Sequence, residues 1–141
     1  METKTTAEKF ERLLRQYSDY DREGYNFIYE ALDYTLKNLV KKRRSTQHVS
    51  GEELAKGLRL YAINQFGCLA QTILNELGIR TTEDIGNIVY NLIEFDLMGQ
   101  QKSDKKEDFN NLYNFDKVFN LKPVFSYNSE KKEWKTEYLQ N

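Results

Sequence analysis

Two side chains in this sequence are reactive near neutral pH, and each type occurs once: His48 and Cys68. An imidazole exchanges protons in that range, and a thiol becomes a nucleophile when its thiolate is stabilised. Cys68 follows Gly67 near the start of an expected helix, a setting that favours the thiolate. Paired with His48 as base, it would make a nucleophilic centre. The plainer reading, and the one adopted, is that Cys68 is a small buried residue, since free cysteines are among the most buried types. One histidine and one cysteine are too few for the usual zinc site. Asp19, Asp21 and Glu23 alternate, and they are read as a solvated acidic turn rather than a calcium loop. The seven glycines form no phosphate-cradling loop. No catalytic, cofactor-binding or metal-ligating residue is assigned, and no cofactor is expected.

Two other groups point to binding. Lys41, Lys42, Arg43 and Arg44, with Lys37 one helical turn before them, form the one dense basic run and a candidate contact for RNA or DNA backbone. The same cations would also suit a helix C-terminus, where they oppose the helix dipole. Phe125, Tyr127, Trp134 and Tyr138 are a candidate protein interface, because Tyr and Trp concentrate at interface centres. Folding back onto the helices is the alternative for these rings.

Charge does little to separate the two. Lys plus Arg number 21 and Asp plus Glu 22, so no global field attracts nucleic acid or an anionic membrane. The distribution is uneven: residues 1–50 carry +2, residues 51–100 carry −4 and residues 101–141 carry +1. A polar N-terminus without an apolar core argues against a signal peptide. No apolar run is long enough to span a membrane, and a single cysteine leaves no internal disulfide partner. These features predict a cytoplasmic protein.

The elements that must position these residues are mostly helical. Phe10, Leu13, Leu14 and Tyr17 predict a helix over Glu8 to Tyr17, broken by Asp19 to Gly24. Tyr25, Ile28, Leu32, Leu36 and Leu39 form one apolar stripe on a helix running to Val40. Ser50-Gly51-Glu52-Glu53 is a capping box that opens a helix ending near Gly67. Cys68 to Leu77 is the next, closed by Gly78. Thr81 or Thr82 caps a fifth helix through Leu97. Residues 99–108 read as a loop or the tip of a short hairpin. Phe109 to Leu121 is aromatic and expected to form a helical turn against the core. Around Asn128 to Glu133 the period changes to two, which predicts a β-hairpin.

The helix–Gly78–turn–helix unit has a helix-turn-helix outline, and a wing at 99–108 would make it winged. Its chemistry argues against DNA. The second helix opens Thr82-Glu83-Asp84 and is expected to expose Asn87, Asn91 and Glu94. Carboxylates at its tip would repel phosphates.

Several blocks also carry a resemblance. They are Tyr25-Asn26-Phe27-Ile28-Tyr29-Glu30-Ala31-Leu32, His48-Val49-Ser50-Gly51-Glu52-Glu53-Leu54 and Gly57-Leu58-Arg59-Leu60-Tyr61-Ala62. Gly78-Ile79-Arg80-Thr81-Thr82-Glu83-Asp84-Ile85-Gly86 and Tyr113-Asn114-Phe115-Asp116 continue them. Together they resemble a family of short uncharacterised bacterial proteins over roughly residues 8–120. The resemblance implies domain limits and no mechanism, since that family carries no assigned activity. Residues 121–141 and the basic run at 41–44 depart from its pattern.

The expectation is therefore a mainly α protein: a helical domain over 1–120 with about five helices, then a hairpin extension over 121–141. The expected function is a non-enzymatic protein-interaction or regulatory module, with nucleic-acid backbone binding as the alternative. An enzyme would need two acids converging in one pocket, which spacing does not reveal.

Overall fold

A computed structural model describes residues 4–40 and 48–141. Among the described residues, six helices precede two strands: α1 (Thr6–Gln16), α2 (Arg22–Asn38), α3 (Gly51–Phe66), α4 (Ala70–Glu76), α5 (Thr82–Glu94), the single-turn α6 (Phe115–Val118), β1 (Leu121–Asn128) and β2 (Glu133–Gln140). Short 3₁₀ turns lie at Gly67–Leu69 and Lys106–Phe109. The fold is mainly helical with a C-terminal hairpin, as the periodicities predict.

Local signals start and stop the helices. The Ser50 hydroxyl accepts from the Glu53 amide at 3.2 Å, and the Glu53 carboxylate accepts from the Ser50 amide at 3.1 Å. This reciprocal pair satisfies amides that the first turn of α3 leaves open. Thr81 and Asp84 make the equivalent box for α5. Gly67 (φ +54°) ends α3, and Gly78 (φ +84°) closes the turn after α4. Both conformations are costly for residues with a Cβ.

The start of α2 differs from the sequence reading. Its N-cap is Asp21, so Gly24 lies inside the first turn instead of breaking the chain. Glycine suits that place because a Cβ there would lie 3.1 Å from the Leu77 carbonyl oxygen. The buried face of α2 is also rotated from the expected stripe. Gly24, Tyr25, Phe27, Ile28, Ala31 and Thr35 are buried, whereas Leu32 and Leu36 are half-buried and Leu39 is exposed.

The reason is a close approach between α2 and α3. A Cβ on Gly57 would sit 1.7 Å from the Thr35 hydroxyl oxygen and 2.8 Å from its Cβ. Thr35 is fully buried, and its hydroxyl donates to the Ala31 carbonyl at 2.7 Å. The polar group is thus satisfied inside the apolar contact. Around this seam the core gathers Leu13, Tyr25 and Ile28 with Leu58, Leu74, Ile79, Ile85, Ile88 and Leu92, all fully buried.

Residues 99–108 form no strand. Asp104 accepts from the Gln101 amide at 2.8 Å and Asp108 from the Lys105 amide at 3.0 Å. Two such turns in quick succession favour a coiled loop over an extended ladder. The centre of the fold accordingly has no wing. The loop ends at Phe109, whose ring packs where Cβ atoms on Gly51 and Gly86 would stand, at 3.2 and 3.0 Å from its atoms.

β1 and β2 pair antiparallel, with Pro123 opposite Tyr138, Phe125 opposite Thr136 and Tyr127 opposite Trp134. The Asn128 side chain accepts from the Glu130 and Lys131 amides, both at 3.0 Å, and Lys132 takes φ +56° to complete the turn. The root is held in three ways. Tyr138 lies over Gly67, the Cys68 thiol donates to the Leu121 carbonyl at 3.5 Å, and the Asn141 amide donates to the Asn120 carbonyl at 3.1 Å.

Gly57→Ala should destabilise the chain by about 3 kcal/mol, the upper end of the usual cost of overpacking, because the added methyl overlaps the buried Thr35 side chain. Urea unfolding measures it, and Thr35→Gly in the same chain should recover part of the loss. An unchanged midpoint would mean that α2 and α3 do not approach as described.

Candidate functional site

Two features stand out as candidates: a cleft beside the N-terminus of α3, and one face of the hairpin.

The cleft has a volume of about 180 Å³. Leu32 and Leu36 of α2, Leu54 of α3, and Val89 and Ile93 of α5 form its apolar walls. Leu32 and Leu36 are the residues that the rotation of α2 leaves outside the buried core, and Leu54, Val89 and Ile93 face them across the groove. At the rim, His48 Nε2 lies 3.0 Å from Asp104 Oδ1, with both side chains largely buried. Tyr90 and Asp108 also line it. A histidine–carboxylate pair fixes the ring's orientation and can hand on a proton. The volume is below that of most small-molecule sites, and it suits one side chain or a short acyl group. The sequence offers His48 as a base for Cys68 or a lone zinc ligand and gives no sign of Asp104, which sits in a polar loop without periodicity.

The His48–Cys68 pair does not form. His48 precedes α3 and Cys68 follows it, so the sixteen residues of the helix hold them about 24 Å apart. Cys68 is exposed rather than buried, because the 3₁₀ turn at Gly67–Leu69 swings it outward to meet β1.

Spacing alone does not exclude a calcium loop at residue 19. Counted from Asp19, Asp21 stands third, Glu23 fifth, Gly24 sixth and Glu30 twelfth, which fits the ligand pattern. Conformation argues against it. The chain is helical from Arg22 onward, and Glu30 accepts from the Tyr61 hydroxyl at 2.9 Å. Among the described residues, no group of three or more His, Cys, Asp or Glu is arranged to hold a metal ion.

Of the candidate nucleic-acid contacts, Lys41, Lys42, Arg43 and Arg44 lie outside the described residues. Lys37 pairs with Asp33 at 2.9 Å, one turn back on α2. At the tip of α5 the carboxylates serve the fold. Asp84 accepts from the Tyr20 hydroxyl at 2.6 Å and the Arg80 amide at 2.8 Å, and Glu83 accepts from the Asn111 amide. Asn87 and Asn91, expected to be exposed, are half-buried and face inward, donating to the hydroxyls of Tyr20 and Tyr25, each at 3.1 Å. The phenols are sunk between helices and need partners, so the amides turn toward them.

The hairpin presents two unlike faces. Residues directly opposite in an antiparallel pair point the same way. One face therefore carries Pro123, Phe125, Tyr127, Trp134, Thr136 and Tyr138, and the other carries Lys122, Val124, Ser126, Glu133, Lys135, Glu137 and Leu139. Phe125 is 63% exposed, Trp134 71% and Tyr127 51%. The Tyr127 and Trp134 rings meet edge to face at 5.2 Å, so the row is ordered by its own contacts. Tyr138, at the root, is 38% exposed. Phe125, Tyr127 and Trp134 do not fold back over the helices, whereas Tyr138 does so at Gly67.

Comparison with known proteins finds no family description, no characterised protein and no solved structure that matches this chain. No helix among the described residues is long and apolar enough to cross a membrane.

Two phenols give the fold a pH signature. Burial pushes Tyr20 well above the ordinary tyrosine value of 10.0, and its bond to Asp84 adds to the rise. Burial does the same for Tyr113, with Arg59 opposing it, and the Tyr113 hydroxyl donates to the Ala55 carbonyl at 2.6 Å. Both folded values lie above the unfolded one, so the stability held by the neutral phenols is complete below pH 10.0 and is lost as pH rises beyond it. The urea midpoint should therefore fall steadily above pH 10. Tyr113→Phe, which has no proton to lose, should make that decline shallower. A midpoint insensitive to alkali would contradict the burial.

Proposed function

We propose that this chain is a non-enzymatic protein-interaction module whose contact surface is the ring-bearing face of the hairpin. The observation that carries this reading is the exposure of Phe125, Tyr127 and Trp134 side by side on one face of a two-stranded ribbon. Large rings in water are costly, and a contiguous exposed apolar patch is characteristic of a contact site. An isolated two-stranded ribbon is also marginal, so a surface laid across it would stabilise both. The partner that fits is a protein presenting an apolar patch, because the ring-bearing face carries no charged side chain and the hairpin's Lys122, Glu133, Lys135 and Glu137 lie on the opposite face.

The apolar cleft supports a second role, as a socket for one partner side chain. Its walls are aliphatic, and the His48–Asp104 pair supplies a polar rim. This is the familiar arrangement of an anchoring pocket.

The test uses a photoreactive phenylalanine analogue at position 125 or, as control, at position 126 on the opposite face. Adducts should form from 125, fail from 126 and disappear when Trp134→Ser is added. The isolated partner should shift the emission of Trp134, the one tryptophan in the chain, to shorter wavelength. Equal adducts from both faces, or no spectral shift, would overturn the reading. RNA or DNA adducts that weaken steeply with salt would move the function to the basic run instead.

A further inference from the structure

The ribbon has an edge as well as a face. β1 and β2 form a two-stranded sheet, so among the described residues β2 has hydrogen-bonding groups along one side with no strand against them. Pro123 identifies which groups these are. It lies directly opposite Tyr138 and has no N–H, so this pair is not one that exchanges both backbone bonds. In an antiparallel ladder the two kinds of pair alternate. Thr136 and Trp134, two and four residues on, are therefore of the same kind as Tyr138. The N–H and C=O groups of Trp134, Thr136 and Tyr138 point away from β1, along the open edge.

The charges on β2 then decide what can pair there. Lys135 and Glu137 flank Thr136 and are exposed, with a 2.8 Å ion pair between them on one strand. Charges on an edge strand normally repel indiscriminate pairing. Whereas centring on Trp134 would overlap only residues 133–135, a second β2 running antiparallel about Thr136 converts them into attraction over most of the strand. In that register Lys135 faces the second copy's Glu137, and symmetry repeats the contact. Trp134 faces Tyr138 on the ring side, and Thr136 faces its own equivalent. Centring on Lys135 would set it against itself and Glu133 against Glu137. Centring on Glu137 would set two glutamates opposite each other. An odd shift would place rings opposite charges and mismatch the backbone groups.

We infer that two copies of this chain associate edge to edge through β2, antiparallel about Thr136, forming a four-stranded sheet. About six new backbone hydrogen bonds close the seam. The ring faces of both ribbons become one continuous surface, and the opposite face gains two symmetric Lys135–Glu137 pairs across the seam. This association rests on the edge and the charge order, and it does not require the partner proposed for the ring face.

Sedimentation equilibrium of the full chain tests it. The wild type should show a concentration-dependent monomer–dimer equilibrium. Lys135→Glu alone and Glu137→Lys alone each set like charges opposite one another, and each should weaken association about tenfold or more. Mixing the two variants should restore a dimer, now of unlike chains. The double variant Lys135→Glu/Glu137→Lys should restore self-association. Circular dichroism should be the same for all of them, because both side chains are exposed. A wild type that stays monomeric at every concentration, or a dimer indifferent to the single reversals, would overturn the inference.

Discussion

The contact between Gly57 and Thr35 is the constraint on which the rest of the structure depends. With no side chain on Gly57, α3 can lie directly against the Thr35 hydroxyl of α2. That proximity fixes the rotation of α2 about its own axis. Tyr25, Ile28 and Ala31 then face the core, and Leu32 and Leu36 are left to wall a cleft. It also sets where α3 begins, and hence where His48 sits relative to the loop that carries Asp104. A bulkier residue at 57 would turn or separate the helices and dissolve both the core and the groove. The tight van der Waals seam therefore matters more to this fold than any of its surface ion pairs, which are worth little individually.

Much of the architecture was legible in the residues. The Ser50–Glu53 box, the glycine stops at 67 and 78, and the change of period after residue 121 are local signals. The first two are realised within a few residues of where they stand, and the third by the pairing of two adjacent strands. What was not legible depended on tertiary contact. The apolar spacing of Tyr25, Ile28, Leu32, Leu36 and Leu39 gives a stripe but not its rotation, which a glycine on another helix decides. Asn87 and Asn91 look like surface residues until the phenols of Tyr20 and Tyr25 are placed beneath them. Asp104 lies 56 positions from His48, and nothing in a polar loop announces that pairing. The run from Asp19 to Glu30 shows the converse, since its spacing suits a metal loop while the chain folds as helix.

The α5 tip illustrates how the same residues can suggest one role and perform another. Glu83 and Asp84 stand where a DNA-reading helix would want hydroxyls and cations. Here they receive amides and a phenol from three other parts of the chain. They lock the entry of α5 to the turn before α2 and to the segment before α6. The acidity of the middle third is thus partly structural, and its charge is held at the junctions between elements.

The attachment of the hairpin has a mechanical consequence. Its root bears on Gly67 and Cys68, the joint at which α3 gives way to a 3₁₀ turn before α4 resumes. Tyr138 fills the hollow above Gly67, and the Asn120–Asn141 clasp ties the two ends of the ribbon together. A force applied at the distant turn is therefore delivered to a single fulcrum rather than spread across the bundle. The ribbon is a lever arm some eight residues long, and its pivot is the 3₁₀ turn Gly67–Leu69 between α3 and α4.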